Sequence, residues 1–339
     1  MAAAAASPLR ATERFFVPGE EEPHERTFMQ WPVSRRVYGH DGFLEDVRAT
    51  IARIANTISE FEPVVMLAAR TDHARARQLL GAGVALWDIP TEDLWARDSG
   101  PLFAVAGDDL RIQSLNFNGW GGKQVHRRDG KIAARVAEYM DLELAASPLV
   151  GEPGGVDQDG HGLLIAHESS WVINNRNPGF TRQEITRGLN TAFGTDEVIW
   201  APGLAGEDVT DYHIDSLARF TGPGRILMNL PETPVPGDPF HAAAFETHDI
   251  LKRAGLELEV IPEPEEWRVD SEDFVASYVN FYVCNGAVIA AEFSDAHTDA
   301  IALDALGRHY PGREVIMLNA DALGEIGGGI HCATQQQPA

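Results

Sequence analysis

The sequence predicts an α/β protein assembled from about five similar units. Amphipathic helical stretches are each followed by a short apolar strand, and the pair recurs at intervals of roughly 55 to 70 residues. No obvious linker divides the 339 residues. The units share no visible sequence identity, so the repeat rests on pattern, and a two-domain doubly wound arrangement fits the same pattern.

In chain order, Leu44, Val47, Ile51, Ile54, Ala55 and Ile58 fall at helical spacing over 44–60, and the apolar run 64–67 that follows reads as a buried strand. A short helix near 72–80 leads into a strand at 84–87, and one near 131–139 leads into a strand around 148. Thr181 and Glu184 form a capping-box pattern that opens a helix to about 193, ahead of the strand 198–200. Helices near 242–254 and 298–309 precede strands at 258–261 and 315–318. Strand-like segments at 163–165, 171–173, 225–228 and 287–289 fill the intervals. The expected organisation is a flexible N-terminal segment over 1–16 and one catalytic domain over 17–339.

Composition narrows the function. Hydrophobic residues make up 44% and charged residues 23%, ordinary globular material. Lys and Arg number 27 against 51 Asp and Glu, a net charge of −24. Such a surface repels nucleic acid and anionic membrane and attracts cations. No run of about 20 apolar residues is present to span a bilayer. Two cysteines build no disulfide framework, and no CxxC or HExxH pattern calls for zinc, so neither metal nor cofactor is expected. Residues 157–160 resemble the start of a calcium loop without its later oxygen ligands, and 119–123 resemble a phosphate loop with the wrong spacing. The opening stretch Met1–Ser7 lacks the charged and long apolar regions of an export signal. A cytoplasmic location is expected, the alternative being export with the signal already removed.

Chemistry concentrates in a few clusters. Cys332 follows Gly327-Gly328-Gly329-Ile330-His331 and precedes a polar run unlike a core strand. It is a candidate nucleophile if His and carboxylate partners exist elsewhere. Asp98 stands in Trp95-Ala96-Arg97-Asp98-Ser99-Gly100-Pro101, and Glu152 opens Glu152-Pro153-Gly154-Gly155. In the segment 208–215, extended backbone would turn Asp211, His213 and Asp215 to one side, an expensive grouping unless they share a ligand. A solvated edge is the plain alternative.

Taken in order, the segments TFMQWP (27–32), WARDSGP (95–101), NGWGGK (118–123), NRNP (175–178), DVTDYHID (208–215) and GGGIHCATQQQP (327–338) resemble the bacterial agmatine deiminase and peptidyl-arginine deiminase family, over nearly the whole chain from about Val17 to Pro338. The resemblance implies a five-bladed pseudo-symmetric α/β-propeller, or pentein, of ββαβ units around a central site. It implies Cys332 as nucleophile, His213 as acid and base, and Asp98 and Asp215 as the clamp on a guanidinium, whose planar cation suits two carboxylates. It further implies thiolate attack, release of ammonia, and hydrolysis of a covalent thiouronium to a ureido group. Glu152 matches the family's Glu-Gly-Gly turn, with Pro153 in place of the first glycine. Trp95 is expected beside the substrate's alkyl chain or, equally, as a core tryptophan, and Arg97 on a local carboxylate. Cys284 reads as a small buried residue.

Three departures bear on the substrate: Tyr212 where agmatine deiminases usually carry glycine, Phe28 for a usual Trp, and the polar Gln30. Tyr212 is expected to reshape the pocket or its rim. The leading expectation is a cysteine hydrolase of agmatine or a similar small guanidine. The alternatives are a peptidyl-arginine or free-arginine deiminase, with Arg35, Arg36 or Arg176 available to a carboxylate or carbonyl, and a guanidine-binding protein without turnover. The expected partner is thus a small cationic guanidine or an arginine-containing peptide, with neither nucleic acid nor membrane, and the chain is a monomer or homodimer. Deleting the last dozen residues is expected to abolish catalysis and leave most of the fold.

Overall fold

The computed structural model describes residues 14–269, 271 and 274–339. Its strands form five small sheets. Four are contiguous ββαβ units, in which an antiparallel hairpin is followed by a helix and a parallel third strand. The second sheet holds β4 (Leu102–Ala106), β5 (Asp109–Gln113) and β6 (Glu143–Ala145), the third β7 (Val156–Gln158), β8 (Leu163–His167) and β9 (Glu197–Ala201). The fourth holds β10 (Ala218–Gly222), β11 (Arg225–Leu230) and β12 (Glu257–Pro262), and the fifth β13 (Tyr282–Val283), β14 (Ala287–Glu292) and β15 (Glu314–Asn319).

The first sheet is made from both ends of the chain. β1 (His24–Gln30) runs parallel to β2 (Val64–Ala68), which is parallel to β3 (Val84–Asp88), while β16 (Gln335–Pro338) pairs antiparallel with β1. The C-terminal strand therefore supplies the hairpin partner that every other unit takes from its own sequence. β16 lies against β4, and β7 against β10, so the leading strands of the units line the axis of a five-bladed α/β-propeller.

One long helix joins the last two strands of each ββαβ unit: α1 (Asp41–Ile58), α2 (Ile132–Met140), α3 (Arg182–Phe193), α4 (Pro239–Arg253) and α5 (Ala296–His309). Side-chain caps start four of them, from His40, Thr181, Asp238 and Asp295, and the Thr181–Glu184 capping box forms as expected. The apolar face of α1 is buried, with Ile51, Ile54 and Ile58 wholly enclosed, each worth about 1.5–3 kcal/mol of burial.

Some expected elements differ. The helix near 72–80 is a 3₁₀ turn at Arg70–Asp72 and one α-turn at His73–Ala76, closed by i→i+3 bonds from Gln78 and Leu79. The third strand of the second sheet is at 143–145 and not near 148. Trp171 ends a helical turn, Glu168–Trp171, because its indole donates to the Gly155 carbonyl and Val172 N–H bonds back to Glu168. The polar tail after Cys332 is a buried strand after all, since amides that line a polar axis need not face water. Of the N-terminal segment 1–16, residues 1–13 lie outside the described residues. Arg14 is ion-paired with Asp196, and Phe16 bridges Val105.

Candidate active site

The turn or loop just ahead of each leading strand delivers polar groups to the axis: Asp98 before β4, Glu152 and Gly154 before β7, His213 and Asp215 before β10, Asn280 before β13, and Cys332 before β16. Every blade thus contributes to one site.

Cys332 is held through backbone and side chain alike. Asn280 Oδ1 accepts from Cys332 N–H at 3.3 Å, and Asn280 Nδ2 donates to Sγ at 3.1 Å. The glycines ahead of it let the chain pass close to neighbours: a Cβ on Gly328 would lie 2.6 Å from the Trp95 ring, and one on Gly329 2.5 Å from Asn280 Oδ1. Sγ stands 3.4 Å from Asp215 Oδ2.

Asp98 is fixed by Trp120 Nε1, which donates to Oδ2 at 2.9 Å, and by Gly154 N–H, which donates to Oδ1 at 3.2 Å. Trp120 reaches it because its own backbone is left-handed, with φ of 54°. His213 is anchored through Nε2, 3.3 Å from Glu152 Oε2, while Nδ1 is 3.8 Å from Asp98 Oδ1, beyond a hydrogen bond and open to a substrate. Glu152 accepts from Arg176 Nε with both oxygens, at 3.0 and 2.9 Å. Asp215 is wholly buried. Its Oδ2 is 2.7 Å from His331 Nδ1, and its Oδ1 has no partner among the described residues. A Cβ on Gly154 would lie 2.6 Å from Asp98 Oδ1, 2.9 Å from His213 Nδ1 and 3.3 Å from Asp215 Oδ2. Two carboxylates and an imidazole converge on that point, and only glycine leaves it open.

The charges follow from this geometry. Burial pushes the Asp98 carboxyl up to about 6, opposed by His213 and assisted by Glu152 and Asp215. Burial disfavours a charged His213, but Asp98 and Glu152 outweigh it and carry the imidazole up to about 9. Burial also works against Asp215, yet the His331 contact and the charges of His331 and His213 hold its carboxyl below the usual range. The Cys332 thiol is pushed well above its ordinary value by burial and by Asp215 and Asp98. Those surroundings favour the neutral thiol, and a cation bound between the carboxylates would favour the thiolate.

Cys332, His213, Asp98, Asp215 and Glu152 therefore come together as expected. Trp95 packs in the same core cluster as Trp120 and Cys332. Tyr212 is a correction: its ring stacks on His167 at 4.8 Å and stands edge-on to Phe240, in the core of the fourth blade rather than at the pocket. Asp211 does not share a face with His213 either, and pairs instead with Arg176 and Lys123. Both corrections have one cause. Asp211 and Tyr212 have φ of 61° and 67°, so the backbone coils where extended alternation was expected. Arg97 meets Glu20 at 2.7 Å, and Asp157 of the calcium-like stretch is held by Arg219. Cys284 is buried, its thiol pushed up to about 12 by burial.

A model of the Porphyromonas-type peptidyl-arginine deiminase family matches residues 16–338. The chain belongs to this family. Relatives include a "putative agmatine deiminase" of Streptomyces avermitilis, 36% identical over 97% of this chain and 98% of that one, and its counterpart in Streptomyces coelicolor, 36% identical over 96% and 99%. Among solved structures, the agmatine deiminase of Enterococcus faecalis superposes with a TM-score of 0.88 at 25% identity, over 98% of this chain and 99% of that one. A "putative arginine deiminase" of Porphyromonas gingivalis gives 0.84 at 30% identity, over 96% and 98%.

As a peptidyl-arginine deiminase family member, the chain is a hydrolase of amidine C–N bonds. Sequence reasoning gave no role to four groups of this deiminase's site: Trp120, Gly154, Asn280 and His331. Trp120 lies in the glycine-rich stretch set aside as a failed phosphate loop, whose left-handed turns in fact aim an indole. His331 stands next to the nucleophile, which was its only signal. Asn280 sits in an otherwise apolar run, and nothing local announces it.

Proposed function

We propose that this deiminase converts agmatine, or a closely similar small guanidine, to the ureido compound and ammonia. The observation that carries the chemistry is the convergence of Asp98, His213 and Asp215 on the space before Gly154, with Cys332 Sγ beside Asp215. A planar guanidinium placed there meets a carboxylate on each side. Its charge favours loss of the Cys332 thiol proton to solvent, and the thiolate attacks the guanidinium carbon. His213 gives its proton to the departing nitrogen, ammonia leaves, and a thiouronium remains on the sulfur. His213, now neutral, takes a proton from water as that water adds to the carbon. Collapse of the adduct expels the thiolate, which takes the proton left on the new carbonyl oxygen, and the neutral ureido product and the Cys332 thiol are formed together.

The substrate choice has two supports. Relatives at 36% identity bear the name agmatine deiminase. Arg176, a cation that a substrate carboxylate would need, is fully buried and spent on Glu152, Asp211 and the Thr210 carbonyl. The family's own name supports arginine residues as the second reading. The deciding experiment measures ammonia and ureido product in parallel from agmatine, free arginine and an arginine peptide, on wild type and Cys332→Ala. Turnover of agmatine above the others, lost in the variant, is expected. Preference for the peptide would overturn the substrate, and no ureido product from any of them would overturn the reaction.

A further inference from the structure

The stretch just ahead of β1 reaches Asp215 through buried charged groups, Glu20, Arg97, Arg219 and His331, to which the reaction gives no role. Glu20 lies ahead of β1, and its carboxylate sits at the axis. Oε1 accepts from Val283 N–H at 2.9 Å and meets Arg219 at 3.1 Å. Oε2 meets Arg97 at 2.7 Å and His331 Nε2 at 3.0 Å. The opposite ring nitrogen of His331 is the one at 2.7 Å from Asp215 Oδ2. Each imidazole nitrogen thus faces a carboxylate oxygen, so both contacts are hydrogen bonds when both nitrogens carry a proton.

Glu20, Arg97, Arg219, His331 and Asp215 are all at least nine-tenths buried. In such surroundings an unmatched charge is costly, so removing one member disturbs its neighbours. Asp215 shows what the chain achieves. Its Oδ2 is held by His331 and is also the oxygen that faces Cys332 Sγ, at 3.4 Å, and the space before Gly154, while Oδ1 is buried with no partner among the described residues. Held at Oδ2, the carboxylate cannot rotate away from that space. The lowered Asp215 carboxyl agrees with this, since the same contacts keep it ionised before substrate arrives.

We propose that Glu20 is a positioning residue for guanidinium binding, acting through His331 to hold the Asp215 carboxylate beside Cys332 Sγ and the space before Gly154. Neither Glu20 nor His331 touches the reacting atoms. The inference rests on the deiminase reading and adds to it a remote determinant of affinity carried by the N-terminal segment.

The test compares Glu20→Gln, His331→Ala and His331→Asn with wild type, using agmatine. The asparagine amide can still donate toward Asp215 but cannot reach Glu20. Glu20→Gln and His331→Ala are expected to raise KM at least about tenfold, the scale of a hydrogen bond to a charged group, with kcat changed less. His331→Asn is expected to recover part of the loss suffered by His331→Ala. In His331→Asn, adding Glu20→Gln should raise KM little further, because the link is already cut. Calorimetric Kd values for agmatine in a Cys332→Ala background give a second reading that needs no turnover. Ile226→Val, a core change in the fourth blade, controls for lost stability alone and should leave KM unchanged. KM and Kd within twofold of wild type in folded Glu20→Gln and His331→Ala would overturn the inference. If Glu20→Gln does not fold, the two His331 variants decide it. Wild type inactive on every guanidine is a separate outcome that sinks the functional reading, and the Kd comparison then decides this one.

Discussion

Asp98 and His213 set the pH window, and they do so in opposite senses. A guanidinium needs Asp98 ionised, and burial has moved that carboxyl up to about 6 from the ordinary range near 4. Release of ammonia needs His213 protonated, and its carboxylate neighbours have moved it up to about 9. The profile of kcat/KM should therefore rise as pH passes about 6 and fall as it passes about 9. An acid limb near pH 4 would contradict the Asp98 assignment, and a fall near pH 6.5 on the alkaline side would contradict that of His213. A second residue prediction concerns Gly154, where a methyl group would enter the space between Asp98 and His213. Gly154→Ala should lower kcat/KM by about 100-fold, the scale of an ångström of misplacement, while the thermal midpoint moves little. Activity within threefold of wild type would show that the substrate does not occupy that point. The four groups that converge on the site were legible from the sequence because thiol, imidazole and carboxylates announce themselves by type. Tyr212 was misplaced because two left-handed residues are not visible in a string of letters, and Asn280, Trp120 and Glu20 act through partners far away in sequence.

The ββαβ element explains both what the sequence revealed and what it hid. Outer strands and helices are amphipathic or apolar, so β2, β11, β14 and the helices α1 and α3 stand out by periodicity. Three of the leading strands are short, β7 (Val156–Gln158), β13 (Tyr282–Val283) and β16 (Gln335–Pro338), and β7 and β16 carry no apolar pattern, whereas β4 is apolar throughout. They are also the strands whose preceding turns carry the site. β16 matters most, because it gives the first blade the partner strand that the others make for themselves. Removal of the tail was expected from the sequence to spare most of the fold, and the pairing argues for a larger effect. Four Cα register pairs join β16 to β1. At about 1 kcal/mol for each, their loss amounts to about 4 kcal/mol. Deleting residues 335–339 should lower the thermal midpoint by about 8 °C, at about 2 °C per kcal/mol, and abolish turnover although Cys332 is still present. An unchanged melting curve by circular dichroism would mean that the first blade does not depend on its closing strand.

At the scale of the whole molecule, charge and substrate are matched. A net charge of −24 surrounds a site built to take a cation, and the acidic surplus lies on a chain whose buried cations are already spent on Glu20, Glu152, Asp157 and Asp211. An approaching guanidine therefore meets a negative field before it meets the pocket, and such fields raise encounter rates by about 10-fold or more at low salt. The screening length falls from about 30 Å at 0.01 M salt to about 3 Å at 1 M, so the long-range part of that attraction is removable without touching the site. The proposed clamp of Asp98 and Asp215 is buried, where salt screens it little. KM for agmatine should accordingly rise several-fold between roughly 10 and 500 mM sodium chloride while kcat holds, because chemistry follows binding within an interior that salt does not screen. Equal KM across that range would mean that the surface charge plays no part in capture, and that affinity resides wholly in the carboxylates at the axis.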